Sequence, residues 1–98
     1  MTKATATVPT ENGWKYVQQL CKHWAHKLDV DVTESAQKGV VIFAEATAVM
    51  TSTSDALTVE LDANSEEVLE RMKGVVSSHL DRFAFREAPL PFDWKAVA

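Results

Sequence analysis

The sequence predicts an α+β fold: a two-layer sandwich in which an antiparallel sheet of four to five strands carries two helices, in the order β-α-β-β-β-β-α. Three observations lead there. Two stretches, ending near Leu28 and Phe83, repeat apolar residues every three or four positions, the stripe of a helix lying on a core. Between them and before the first, short segments alternate apolar and polar residues or run β-branched, as strands do. The links between consecutive strands are too short for parallel crossovers, which favours an antiparallel meander.

Taken in order, Ala4–Val8 alternates small apolar residues with threonine, and Pro9, which has no amide to give a ladder, ends that strand. Thr10 or Asn12 can cap the first helix through a side-chain oxygen. Trp14, Val17, Leu20, Cys21, Trp24 and Leu28 share one stripe and carry that helix to about Leu28. Val30–Thr33 alternates again, and Ala36–Gly39 reads as a turn. Val40–Phe43 is a β-branched and aromatic strand, Ala46–Ser52 a weaker one rich in threonine and small residues, and Leu57–Leu61 alternates cleanly with Leu57, Val59 and Leu61 inward. Asn64 and Glu67 are spaced as a capping box for the second helix, whose buried stripe is Val68, Leu69, Met72, Val75, Val76, Leu80 and Phe83. The segment 88–98, with Pro89, Pro91 and Trp94, is expected to lie loosely over an ordered core of about 4–87.

The 98 residues fit a single domain, 1–98, which buries roughly 60–65% of the surface its unfolded chain exposes. Hydrophobic residues are 46% of the chain and charged ones 24%, an ordinary globular balance. A formal net charge of −4 argues against a general nucleic-acid partner, which would need a basic footprint. One cysteine makes no internal disulfide, the N-terminus lacks the apolar run of a signal peptide, and no stretch approaches a membrane span. The expectation is a cytoplasmic protein with no membrane and no nucleic-acid partner, monomeric or weakly homodimeric through its sheet edges.

The stretch "QLCKHWAHKL" (19–28) holds the only cysteine and two of the three histidines. At about 100° per residue, Cys21 and His23 point roughly 160° apart, so they cannot share an ion on an intact helix. Cys21 joins the apolar stripe. His23 and His26 fall on the opposite face with Lys15, Lys22, Lys27 and Tyr16, a basic patch on an acidic protein that could steer an anionic partner. Two histidines make an incomplete zinc site, and nothing else nominates a third ligand, so no metal and no cofactor is expected. His79 falls among Met72, Val75, Val76 and Phe83, as a core histidine satisfied by a backbone carbonyl or as a groove residue between helices and sheet. There is no Ser/His/Asp arrangement, glycine-rich phosphate loop or His-Glu-x-x-His run, so no catalytic residue is nominated and an enzyme is disfavoured.

Three stretches, "YVQQLCKHWAHKL" (16–28), "DALTVELDA" (55–63) and "VVSSHLDRFAFRE" (75–87), followed by Trp94, resemble the bacterial domain of unknown function 2218 family over Ala4 to Trp94. The family has no established activity, so the resemblance supplies no catalytic residues. It implies context: similar domains occur alone or fused to siderophore-interacting flavoproteins, which suggests an accessory or adaptor role in siderophore-iron metabolism with such a flavoprotein as partner. The residues in the matching runs are Cys21, Lys22, His23, His26 and Lys27, then His79, Arg82, Phe83, Arg86 and Glu87. Two candidate surfaces follow. One is an interaction face of Lys15, Lys22, His23, His26 and Lys27; the other is a groove of Cys21, Trp24, His79, Arg82, Phe83 and Arg86, where a small ligand or metal would be the alternative to a protein partner.

Overall fold

A computed structural model describes residues 2–97. Its elements are β1 (Thr2–Pro9), α1 (Gly13–Trp24), β2 (Asp29–Thr33), β3 (Lys38–Ile42), β4 (Ala46–Ser52), β5 (Ala56–Ala63), α2 (Glu66–Phe83) and β6 (Lys95–Val97). The architecture is α+β: two helices on one antiparallel sheet of six strands ordered β2-β3-β4-β5-β1-β6. Strands β2 to β5 form the expected meander. β1 adds beside β5, with Ala6 opposite Val59 and Val8 opposite Leu57.

Alternation along the strands separates the two sheet faces. Ala4, Ala6 and Val8 of β1, Ala48 and Met50 of β4, and Leu57, Val59 and Leu61 of β5 are buried beneath the helices. Their neighbours Thr5, Thr47, Thr58 and Glu60 lie on the other face, which neither helix covers. Val17, Leu20 and Cys21 of α1 and Leu69, Val76 and Leu80 of α2 close the core from above.

Several expectations are corrected. The first helix ends at Trp24, not Leu28: the amides of Lys27 and Leu28 both donate to the Trp24 carbonyl, at 3.0 and 2.9 Å, and this tightened turn delivers the chain into β2. Asn12 stands at the N-cap position, but its side chain makes no cap bond. The second helix is capped by Ser65, whose Oγ accepts from the Val68 amide at 3.2 Å, while the Asn64 amide is held by the Glu45 carbonyl. Ala36–Gly39 is not one turn. A single 3-10 turn at Glu34–Ala36 and a left-handed Gln37, φ 49°, complete it, and Gly39 already lies inside β3. There a Cβ would sit 2.6 Å from Cys21 Sγ and 2.9 Å from Val17 Cγ1, so the glycine is what lets α1 approach the strand.

The C-terminal segment is also better anchored than expected. The Asp81 carboxylate accepts from the Leu90 amide at 2.9 Å, Leu90 is buried, and Phe92 stacks on Trp94 with ring centroids 5.6 Å apart. Lys95–Val97 then pairs with β1, which accounts for the sixth strand. Two aromatic rings and a leucine provide apolar surface that a polar tail lacks, so this segment packs down instead of trailing. No helix among the described residues is long and apolar enough to cross a membrane.

Candidate functional site

After α2 the chain turns sharply. The amides of Ala84, Glu87 and Ala88 donate to the carbonyls of Leu80, Ala84 and Ala84 at 2.8 to 2.9 Å, and the Ala84 side chain is buried. This turn brings Glu87 back to the start of α1. Its carboxylate accepts from Thr10 Oγ1 at 2.9 and 3.0 Å, from Asn12 Nδ2 at 3.2 Å and from the Tyr16 phenol. Thr10 Oγ1 in turn accepts the Asn12 amide at 3.1 Å, which serves the helix start in place of a conventional side-chain cap. Tyr16 was expected on the basic surface patch. It is instead buried, its ring in the core and its hydroxyl turned to Glu87.

The hydrogen bond from Tyr16, with those from Asn12 and Thr10, holds the Glu87 carboxyl below the usual carboxylate range against the opposing effect of burial. Burial first, then the bond to Glu87 and its charge, pushes the Tyr16 phenol up. Glu87 therefore stays ionised at neutral pH, its carboxylate held by three donor side chains. A carboxyl that titrates lower folded than unfolded stabilises fully above the unfolded value of about 4.3, and that contribution is lost as pH falls through the folded value. Glu87→Gln should cost about 1–2 kcal/mol at pH 7, and the difference from the parent should shrink at pH 3. Urea denaturation at both pH values measures this; an equal deficit at each would show that ionisation plays no part.

A second cluster sits between the helices. His79 lies beside Trp24, with centroids 5.0 Å apart, and beside His23 at 5.8 Å; His23 also meets the edge of Phe83 at 6.1 Å. His79 Nδ1 is 2.7 Å from the Val75 carbonyl, an acceptor only, so Nδ1 carries the proton in this contact. The expected groove divides accordingly. Trp24, His79 and Phe83 come together. Cys21 lies apart from them under Gly39, where burial pushes its thiol up to about 11 and away from thiolate chemistry. Arg82 is exposed on the last turn of α2, and Arg86 lies beyond that helix, beside Phe85.

Lys15, Lys22, His23, His26 and Lys27 are all exposed, but they do not form one helical face. Lys15, Lys22 and His23 lie on α1. His26 and Lys27 fall in the turn after it and border a hollow with Ile42 and Phe43. His23 turns toward His79 and Phe83, so the two histidines do not pair. Among the described residues no three His, Cys, Asp or Glu side chains gather as metal ligands.

Between the two helices' ends, Asn12, Lys15, Tyr16, Phe83, Arg86 and Glu87, with Phe85 at the rim, line a cleft of about 230 Å³. Its framework was missed by sequence reasoning because Thr10, Asn12 and Tyr16 lie 71 to 77 positions from Glu87. The one available signal was the Arg86-Glu87 pair, a charged step just past an apolar helical stripe.

The model of a family described as uncharacterized protein conserved in bacteria, DUF2218, matches residues 5–95. The chain belongs to this family. A solved structure of similar architecture, described as the NMR structure of PA4090 from Pseudomonas aeruginosa, shares 32% identity over 97% of this chain and 96% of that one, with a TM-score of 0.82. None of the curated proteins matches the chain. The DUF2218 match runs from within β1 to the first residue of β6, so it includes the Glu87 cluster, the helix groove and the cationic surface together.

Proposed function

We propose that this DUF2218 chain is a non-enzymatic accessory domain of siderophore-iron metabolism that docks an acidic partner surface through the exposed side of α1 and the turn after it. One observation carries this reading. From Gly13 to Leu28 the chain contains no Asp or Glu, and Lys15, Lys22, His23, His26 and Lys27 are all exposed there on a protein of net charge −4. Such segregation raises the encounter rate with an anionic surface and orients it, most strongly at low ionic strength. The fusion to siderophore-interacting flavoproteins that the family resemblance implies makes a flavoprotein of that class the partner to test.

Lys22→Glu with Lys27→Glu reverses the charge at two exposed positions. The double variant should keep the circular-dichroism spectrum and melting temperature of the parent, and lose at least about tenfold in affinity for a siderophore-reducing flavoprotein at low salt, with a weakened salt dependence. Unchanged affinity would sink the reading.

A further inference from the structure

We propose that the cleft between the start of α1 and the turn after α2 is a binding site for a single-ring aromatic carboxylate. This goes beyond the docking reading: the two share Lys15, but Lys22, His23, His26 and Lys27 lie outside the cleft.

Size sets the first limit. The cleft holds about 230 Å³, whereas an apolar cavity of about 150 Å³ accommodates benzene. One ring with a small polar group fits that volume. The walls set the second. Phe83 is half-buried, and Phe85 is 72% exposed, the barest of the large apolar side chains among the described residues. A planar ring placed against them would cover aromatic surface that the fold leaves in water.

Charge sets the third limit. Lys15 and Arg86 border the cleft, and neither joins any of the three ion pairs found among the described residues. Glu87 also lines the cleft, where its carboxylate accepts from Thr10, Asn12 and Tyr16 and pairs with neither cation. Two cations and one committed carboxylate leave one net positive charge, matched by a monoanion. The Arg86 guanidinium, 5.8 Å from the centroid of Phe85, offers a planar fork suited to a carboxylate while the ligand ring lies alongside. A phosphate would bring more charge than this balance accommodates and would leave both phenylalanines unused.

Amide NMR titration with benzoate, benzyl alcohol and inorganic phosphate tests the proposal on the full chain. Benzoate should give saturable shifts centred on residues 12–16 and 83–87. Arg86→Ala and Lys15→Ala should each weaken it about tenfold, as expected for losing a charge-assisted hydrogen bond, and Phe85→Ala should weaken it several-fold. All three side chains are exposed, so the folded state should survive their removal. Lys22→Glu/Lys27→Glu should leave benzoate binding intact, which separates this site from the docking face. Benzyl alcohol should not saturate, and phosphate should bind at least tenfold more weakly than benzoate. Equal binding of phosphate and benzoate, shifts that do not saturate, or full affinity in Arg86→Ala would each overturn the assignment.

Discussion

Trp24→Ala is expected to lower the unfolding free energy by about 3–5 kcal/mol, the range for truncating a large buried aromatic residue. Trp24 is the last residue of α1 and is 6% exposed. Its indole meets the edge of Phe43 at 5.1 Å, in the turn between β3 and β4, and His79 of α2 at 5.0 Å. One side chain therefore ties both helices to the sheet, and its removal empties a junction that no single neighbour can refill. For a domain of this size the loss corresponds to a fall in melting temperature of roughly 12–40 °C. Trp24→Phe keeps a ring in the junction and should cost less than half as much. Urea denaturation followed by far-UV circular dichroism gives both values. A loss under 1 kcal/mol for the alanine variant would mean that the helices close over the gap and that the aromatic junction is dispensable.

Gly39→Val is expected to destabilise by about 3 kcal/mol or more through overpacking, although strand propensity alone argues the other way by up to about 1 kcal/mol. Packing wins because the new Cβ would stand 2.6 Å from Cys21 Sγ and 2.9 Å from Val17 Cγ1, and both partners belong to a helix pinned by its neighbours on the same sheet. Gly39→Ala meets the same first atom and should cost less, since it adds only that atom. Combining it with Cys21→Ala removes the sulfur, so the double variant should be more stable than the sum of the two single losses predicts. The thiol supplies an independent readout. Buried and with its pKa pushed up to about 11, Cys21 should react with a disulfide reagent at pH 8 only when the fold opens. Labelling should accelerate in Gly39→Val in step with its lost stability. Parent-like stability and labelling in that variant would show that α1 and β3 can separate at little cost.

Gly39 also shows where reading along the chain runs out. Its neighbours in sequence, Gln37 and Lys38, suggest a turn; its neighbours in space, Val17 and Cys21, require a glycine inside a strand. The same limit applies to Leu28, which continues the helical spacing of α1 although the chain has already turned toward β2. Tyr16 is another case: helical phase placed it with the lysines, but Glu87 offers its hydroxyl a partner and lets the ring enter the core. His23 and His26 would pair only on a helix that continues through both, and α1 ends at Trp24.

Periodicity determined the two helices, the inward positions of β5, the burial of Cys21 and the helical stripe of Val68, Met72, Val76 and Leu80, because these depend on spacings within one element, and the short links between strands added the antiparallel α+β plan. Composition along residues 13–28 likewise determined an acid-free, lysine- and histidine-rich stretch. The tertiary structure decided the sixth strand, the division of the expected groove, the meeting of His23 with His79, and the Glu87 cluster that frames the cleft. Each of these joins residues from separate elements, and the contacts form only when burying apolar surface brings distant segments together. Local spacing carries no record of which segments those will be.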